Sequence, residues 1–243
     1  KLYEASAASG KRYIGGGGAA NYAVVMPDAE FKNTVEALVH SKYGNAGQRC
    51  LAIQNIVVVG NDDYYDKFKR SFTERARALK IGYGLDEEVE MGPLTTSQYR
   101  RNVIKKIDDA LNEGAKLVLD GRDFKLDGYP DGFYLGPTIL EDVSPSMSIA
   151  REEIFGPVVN LIRAKELDDA IEWINKGKYH HSAVIFTQNG KWARTFSNEV
   201  RVGNVGVNIG VGGKGISGLG SHHPQIDTVD FFTDRKIIIT RWY

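Results

Sequence analysis

Cys50 is the only cysteine in this chain of 243 residues, so it has no internal disulfide partner. It ends the run Tyr43-Gly44-Asn45-Ala46-Gly47-Gln48-Arg49-Cys50, whose small and polar residues predict a loop that bends and donates backbone N–H groups. A thiolate whose own N–H faces a developing oxyanion can carry out acyl transfer. The alternative is an inert thiol, because free cysteines are among the most buried residue types.

Residues 151–158 (Arg-Glu-Glu-Ile-Phe-Gly-Pro-Val) are a second candidate, since two carboxylates precede an aromatic residue and a Gly-Pro turn. The carboxylates of Glu152 and Glu153 can accept hydrogen bonds from sugar hydroxyl groups, and Phe155 can pack on a flat ring. The alternative is a solvated turn with one apolar anchor. Taken alone, this segment leaves both interpretations open.

Histidine and glycine give weaker candidates. His40 precedes Cys50 on a predicted helix, so a Cys–His hydrolase is a further hypothesis. The pairs His180-His181 and His222-His223 are adjacent in sequence and therefore point apart, so we expect no metal site. The run Gly15–Gly18 lacks the spacing of a phosphate-binding loop, which favours a turn or close backbone packing.

Composition limits the classes of function. Lys plus Arg and Asp plus Glu both number 31, so the net charge is zero and nothing favours a nucleic acid or an anionic membrane as partner. Hydrophobic residues make up 42%, as in ordinary globular proteins, and no apolar run is long enough to span a bilayer. A single cysteine fits a reducing compartment, so we expect a cytoplasmic protein, or one of the mitochondrial matrix in a eukaryote.

Helical patterns alternate with short β-rich runs, which predicts an α/β layer fold with a largely parallel sheet. We expect helices capped by Asp28, Asn61, Thr95 or Thr96, and Asn189. Strands are expected over residues 54–60, 116–119, 134–140, 158–163, 183–187 and 205–208. The β-branched tail 235–242 predicts a last strand, which either pairs with another sheet edge, in the same subunit or a partner, or closes its own sheet.

Two segments together resemble the signature segments of the NAD(P)-dependent aldehyde dehydrogenase superfamily: residues 45–52 (Asn-Ala-Gly-Gln-Arg-Cys-Leu-Ala) and residues 151–158. Supporting matches occur in family order at residues 25–29, 91–94, 136–140 and 232–236. Residues 21–28 and the arginine before the cysteine look most like the methylmalonate-semialdehyde branch. The resemblance implies a three-layer α/β catalytic domain with a C-terminal oligomerisation strand.

The resemblance also implies roles for single residues. Cys50 matches the nucleophile that attacks the aldehyde carbon, after which the adduct gives hydride to NAD or NADP and becomes a thioester. Glu153 matches the glutamate that holds the nicotinamide ribose, and Phe155 matches the aromatic residue beside the nicotinamide. Arg49 matches an arginine that binds a substrate carboxylate in the semialdehyde branch. The implied substrate is a small aldehyde, with or without a carboxylate.

Two segments depart from the family pattern. Gly16 stands where most members carry the glutamate that activates water. This leaves open either hydrolysis or transfer of the acyl group to coenzyme A, which is the route of the semialdehyde branch. Residues 208–220 are short and rich in glycine where members carry a longer loop near the substrate.

The family's chains are longer, and their first half holds most of the NAD-binding domain. We therefore expect residues 1–18 to be a remnant of that domain, 19–220 the catalytic domain and 221–243 a tail with the oligomerisation strand. The resemblance implies a homo-oligomer that needs the N-terminal half, in the same polypeptide or as a second chain. The isolated chain is expected to be inactive. The alternative is a truncated, non-catalytic assembly or regulatory protein of the same fold.

Overall fold

The computed structural model describes residues 1–13, 17–210, 232–234 and 236–242. The helices in this part are α1 (Leu2–Ala8), α2 (Phe31–Tyr43), α3 (Asp62–Arg77), α4 (Ser97–Asn112), α5 (Ser148–Arg151), α6 (Leu167–Asn175) and α7 (Gly190–Glu199). The strands are β1 (Asn21–Val25), β2 (Ile53–Val59), β3 (Lys116–Leu119), β4 (Thr138–Glu141), β5 (Val158–Ala164), β6 (Ser182–Phe186) and β7 (Asn204–Val207). A 3-10 turn (Gly44–Gly47) follows α2.

The described strands form one sheet in the order β3-β4-β5-β2-β1-β6-β7. All neighbouring pairs are parallel except β3 with β4, which is antiparallel. Every residue of β1, β2 and β6 is buried, so both faces of the central sheet are covered, as parallel sheets require. Helix α2 packs on α3, and α6 packs on α7. The prediction of an α/β fold with a largely parallel sheet is confirmed.

Three predicted helix caps are confirmed, because their side chains accept backbone N–H groups of the first turn: Asn61, Thr96 and Asn189. The prediction for Asp28 is wrong. Glu30 caps α2 instead, since its carboxylate accepts the N–H of Asn33 at 2.7 Å. The carboxylate of Asp28 accepts the hydroxyl group of Thr187 at 2.8 Å and so ties the segment after β1 to the segment after β6.

One predicted strand is shorter in the structure, and one strand of the structure was not predicted. The strand expected over residues 134–140 is shorter, because the ladder with β5 begins only at Thr138. Strand β1 was not predicted as a strand. It is buried along its whole length, including Asn21 and Tyr22, so it lacks the polar and apolar alternation that marks a half-exposed strand.

The structure assigns no strand to residues 236–242, where a terminal strand was expected. A strand forms only when its backbone groups pair with a neighbour, and this segment pairs with none of the described strands. The side chains of Ile237, Ile238 and Ile239 are 76–91% exposed. The oligomerisation role and the boundaries after residues 18 and 220 stay predictions. Gly16, His222-His223 and most of residues 208–220 lie outside the described residues.

Candidate active site

Cys50 and the segment 151–158 lie at the same end of the sheet, because each precedes one of two neighbouring parallel strands. Asn55 of β2 pairs in register with Asn160 of β5. Cys50 stands five positions before Asn55, and Phe155 stands five positions before Asn160. Because parallel neighbours run in the same direction, the two segments enter the sheet together at its amino edge.

Gly47 marks the closest approach of these two segments. A Cβ atom on Gly47 would lie 2.3 Å from the carbonyl oxygen of Gly156, so only glycine fits there. The φ angles are +70° at Gly47, 54° at Asn45 and 51° at Ala46, which places three successive residues in the left-handed region. Non-glycine residues in that region cost free energy, so surrounding contacts must hold this turn in place.

Gln48 is one such contact, and it was not singled out from the sequence. Its Nε2 donates to the carbonyl oxygens of Asn45 at 3.1 Å and Pro93 at 3.2 Å. Its Oε1 accepts the N–H of Thr95 at 3.1 Å. The side chain thus ties the turn before Cys50 to the segment that leads into α4.

The Cys50 side chain is exposed, whereas its backbone is fixed. Asn21, at the start of β1, donates from Nδ2 to the Cys50 carbonyl oxygen at 2.8 Å and to the Ala52 carbonyl oxygen at 3.1 Å. The N–H of Ala52 bonds to the Arg49 carbonyl oxygen at 3.0 Å and closes a turn around Cys50. The thiol is therefore accessible on a held loop, and the alternative of a buried thiol does not describe this structure.

Arg49 lies across the end of α2. Its Nη2 donates to the carbonyl oxygens of His40 at 2.6 Å and Ser41 at 3.0 Å, which belong to the last turn of the helix. Cations are favourable at this end because the last carbonyl groups of a helix have no partner within the helix. Burial lowers the pKa of Arg49 from its ordinary value.

Histidine does not complete a Cys–His pair in the described part of the chain. The side chain of His40 is exposed, and no hydrogen bond joins a histidine ring to the sulfur of Cys50 among those residues. Over the same residues, no group of three His, Cys, Asp or Glu side chains can hold a metal ion. The hydrolase hypothesis thus gains no support from the described contacts.

The two glutamates of the second segment have different environments. Glu152 is exposed and pairs with Lys178 at 2.9 Å, and this hydrogen bond holds the pKa of Glu152 below its ordinary value. Glu153 is half-buried, and the N–H of Ala19 donates to its carboxylate. Burial raises the pKa of Glu153, while Ala19 and two nearby lysines oppose that rise. Glu153 is therefore the carboxylate that the fold holds inside the site.

Helix α4 supports the remainder of this segment. Nζ of Lys106 donates to the carbonyl oxygen of Glu153 at 2.6 Å. The N–H of Phe155 donates to the hydroxyl group of Tyr99. Phe155 itself is half-exposed, so one part of its ring is available to a ligand.

Buried amide side chains in β2 and β5 form hydrogen bonds to residues 149–154. These side chains were not predicted from the sequence. Gln54 donates from Nε2 to the carbonyl oxygens of Ile149 at 2.9 Å and Glu152 at 2.8 Å, and its Oε1 accepts the N–H of Ile154 at 2.7 Å. Asn160 donates to Oδ1 of Asn55 at 2.8 Å. Their signal is visible in the sequence, since these amides interrupt strands that are otherwise apolar.

Lys42 is a buried charged residue that was not predicted from the sequence. Its side chain is 0% exposed, and its Nζ has no hydrogen-bond partner among the residues that the structure describes. Burial lowers the pKa of Lys42 from 10.5 to about 7, Glu153 opposes that change, and Arg49 adds to it. The available signal was helical spacing, because Lys42 falls on the same stripe of α2 as the buried Val35 and Leu38.

The arrangement suits covalent chemistry beside a nucleoside-like ligand. An exposed thiol, a half-buried carboxylate and a partly exposed aromatic ring lie on segments that touch at Gly47. A carboxylate accepts hydrogen bonds from sugar hydroxyl groups, and an aromatic ring packs on a flat base. Glu153 and Phe155 are therefore residues that could hold a ligand of this class near Cys50.

Comparison with known proteins gives consistent matches. The model of the aldehyde dehydrogenase family matches residues 1–238. A malonate-semialdehyde dehydrogenase of Pseudomonas aeruginosa is 40% identical over 251 residues, which cover 99% of this chain and 50% of that protein. An acylating, mitochondrial methylmalonate-semialdehyde dehydrogenase of Arabidopsis thaliana is 37% identical over 99% of this chain and 41% of that protein. The chain thus spans about half the length of the curated relatives it matches.

Solved structures agree with these relatives. A methylmalonate-semialdehyde dehydrogenase from Oceanimonas doudoroffii matches with a TM-score of 0.83 and 38% identity, over 86% of this chain and 43% of that chain. A Mycobacterium tuberculosis aldehyde dehydrogenase complexed with NAD+ matches with a TM-score of 0.81 and 27% identity, over 92% of this chain and 47% of that chain.

No helix in the described ranges is long and apolar enough to cross a membrane.

Proposed function

The chain belongs to the aldehyde dehydrogenase family, and we propose on this basis that its protein oxidises a small semialdehyde, with Cys50 as nucleophile and NAD or NADP as hydride acceptor. One observation carries the proposal: Gly47, in the loop of Cys50, lies against Gly156, in the segment of Glu153 and Phe155. That contact brings a nucleophile and the candidate cofactor-binding residues to one place, as hydride transfer requires.

Cys50 supplies the covalent chemistry in this proposal. Its thiolate attacks the aldehyde carbon, a C–S bond forms, and the carbonyl oxygen takes the negative charge. The N–H of Cys50 is the candidate donor to that oxygen, and Asn21 holds the loop by its bond to the Cys50 carbonyl. A nicotinamide held by Glu153 and Phe155 would supply the hydride acceptor, and loss of hydride from the same carbon would leave a thioester on Cys50.

Glu153 and Phe155 are the residues proposed to hold the cofactor. An ionised carboxylate offers two acceptor oxygens to ribose hydroxyl groups, and Glu153 is half-buried with its backbone fixed by Lys106. Phe155 is half-exposed and suited to contact a flat ring. The Mycobacterium tuberculosis neighbour is a complex with NAD+, which supports this class of cofactor.

We propose that the acyl group leaves Cys50 by transfer to coenzyme A. The thiol of coenzyme A attacks the thioester carbon, and the Cys50 thiolate leaves, so no water needs activation. The Arabidopsis relative is named as acylating, which supports this route. A protein with an essential free thiol suits a reducing compartment, the cytoplasm or the mitochondrial matrix.

Arg49 is proposed to contact the carboxylate of the substrate. Arg49 directly precedes Cys50, and its Nη2 donates to two carbonyl oxygens at the end of α2. These hydrogen bonds hold the guanidinium group in place. A fixed guanidinium pairs well with a carboxylate. The two relatives named for malonate or methylmalonate semialdehyde act on carboxylated aldehydes by their names, which supports this assignment.

The test is an aldehyde panel on the complete protein, with NADH absorbance read with and without coenzyme A. We expect oxidation of carboxylated semialdehydes that depends on coenzyme A and is abolished by Cys50→Ser. Glu153→Gln should weaken NAD binding, while its matched control Glu152→Gln, at an exposed carboxylate, should not. If no aldehyde yields NADH under either condition, the proposed function is wrong.

We also propose that copies of the chain associate through the tail. Strand β7 is an outer strand of the described sheet, and its Val205 and Val207 are exposed. The exposed isoleucines 237–239 are suited to add to such an edge. Light scattering should show an oligomer that Ile238→Lys dissociates. An oligomer that oxidises no aldehyde would instead favour a non-catalytic assembly protein.

A further inference from the structure

Helix α4 presents one face to residues 153–156, the segment that contains the proposed cofactor-binding residues. Tyr99, Val103 and Lys106 are spaced by four and three positions, so they share one face of the helix. A Cβ atom on Gly156 would lie 3.1 Å from two methyl carbons of Val103, so the backbone of the segment packs closely against α4. Polar side chains on the same face of α4 can therefore bond to that backbone.

Side chains hold the backbone of this segment, because residues 153–155 belong to no helix or strand. Nζ of Lys106 donates to the Glu153 carbonyl oxygen at 2.6 Å, and the Tyr99 hydroxyl group accepts the N–H of Phe155. From β2, Gln54 bonds to the backbone of the residues before and after Glu153, at 2.8 and 2.7 Å. Lys106 is thus the residue that holds the carbonyl group of Glu153 itself.

Two adjacent lysines of α4 differ in their contacts. Nζ of Lys105 pairs with Asp109 at 2.7 Å, one turn along the helix, and its side chain is 73% exposed. Lys106 is half-buried, and over the described residues it forms no ion pair with a carboxylate. Its ammonium group instead bonds to a backbone carbonyl oxygen, and charge-assisted hydrogen bonds are stronger than those between neutral groups. Lys106 therefore acts on the segment, whereas Lys105 does not contact it.

We infer that Lys106 is a positioning residue for the cofactor, because its bond to the Glu153 carbonyl oxygen keeps the Glu153 carboxylate where it can accept the hydroxyl groups of the nicotinamide ribose. The inference rests on the role proposed above for Glu153. The position of a side chain follows that of its own backbone, and a misplacement of about 1 Å can cost a site much of its function. Lys106 itself touches no ligand in this account and acts only through Glu153.

The first test is the dissociation constant of NAD for the complete protein, measured by calorimetry. We expect Lys106→Met, which keeps the apolar stem and removes the ammonium group, to weaken binding about tenfold, and Lys106→Arg to restore most of the affinity. Lys105→Met is the matched control and should bind NAD like the wild type. Unchanged NAD affinity in Lys106→Met overturns the inference.

ADP separates positioning of Glu153 from a general loss of structure, since ADP lacks the nicotinamide ribose. We expect the wild type and Lys106→Met to bind ADP equally. An equal weakening of ADP and NAD binding in Lys106→Met would indicate that the lysine only supports the fold, which also overturns the inference.

A double-mutant cycle tests whether Lys106 acts through Glu153. We expect Lys106→Met to weaken NAD binding about tenfold beside the native Glu153 and less than about twofold in the background of Glu153→Ala. Additive losses would show that Lys106 acts independently of this carboxylate and would overturn the inference. If Glu153→Ala binds NAD as tightly as the wild type, the proposed role of Glu153 is wrong, and the inference fails with it.

Discussion

Replacing Lys42 by methionine should change the stability of the fold in a way that depends on pH. Methionine keeps the length of the apolar stem and removes the amine, which is fully buried in the wild type. Burial lowers the pKa of Lys42 in the folded state from 10.5 to about 7. The unfolded chain keeps the ordinary value, so the two states bind different numbers of protons between these limits.

The sign of the effect follows from this difference. Near pH 7 the unfolded chain holds the proton firmly, and the folded chain bears the cost of burying it or giving it up. Between pH 7 and 10.5 the unfolded chain binds more protons than the folded chain, so the wild type gains stability as the pH rises, until the unfolded chain also loses its proton. The advantage of Lys42→Met over wild type should therefore shrink by about 1 kcal/mol per pH unit, or roughly 2 kcal/mol between pH 7 and pH 9.

The assay is urea unfolding at pH 7, 8 and 9, followed by tryptophan fluorescence, with the difference between variant and wild type taken at each pH. Lys69→Met is the control, because the hydrogen bond to Glu141 raises the pKa of Lys69. Lys69 stays protonated in both states over this range, so its difference should not vary with pH. A constant difference for Lys42→Met as well would refute the assignment of a buried, titrating amine.

The other predictions concern the loop and the segment that it touches. Gly47→Ala should lower the free energy of unfolding by about 2 kcal/mol or more in urea titrations, because Gly47 has a positive φ and lies against Gly156. The control Gly92→Ala should change this free energy little, because a Cβ atom there would lie in open space. Gln54→Leu removes three hydrogen bonds and takes this partner from the Glu152 carbonyl oxygen and the Ile154 N–H, whereas the Ile149 carbonyl oxygen keeps its bond from Asn160. The variant should cost about 2–4 kcal/mol in the same assay, and a cost near zero contradicts the network. In the complete protein, Arg49→Gln should raise KM about tenfold or more for a carboxylated aldehyde and much less for an uncharged one. Equal increases in KM for both aldehydes would indicate that Arg49 only holds the loop in place and does not contact the substrate.

Local signals in the sequence were sufficient for most of the fold. Asn61, Thr96 and Asn189 were predicted as helix caps because a short polar side chain stood before an apolar periodic run. Asp28 fitted the same pattern but bonds to Thr187, which is distant in sequence, so no local rule could assign it. Strand β1 was missed because burial on both faces removes the alternation that such rules detect.

The candidate site was less accessible to sequence reasoning. Cys50 and residues 151–158 were found as separate motifs, and only the resemblance to a family joined them. Their contact depends on the placement of β2 beside β5, which is a property of the sheet order and not of either segment. Lys42 and Gln54 could have been identified from the sequence, since each is a polar residue at a position where the pattern predicts an apolar one.

The amides that join β2 to β5 also set when the site can form during synthesis. Gln54 bonds to Ile154 across a separation of 100 residues, and Asn160 bonds to Asn55 across 105. A ribosome adds about 5–20 residues per second, so a nascent chain carries Cys50 for about 5 to 20 seconds before residues 151–158 exist to meet it. During that interval the loop of Cys50 lacks the segment that contacts it in the folded structure. The separation of the two segments along the chain therefore sets the shortest time in which a nascent chain can complete the candidate site.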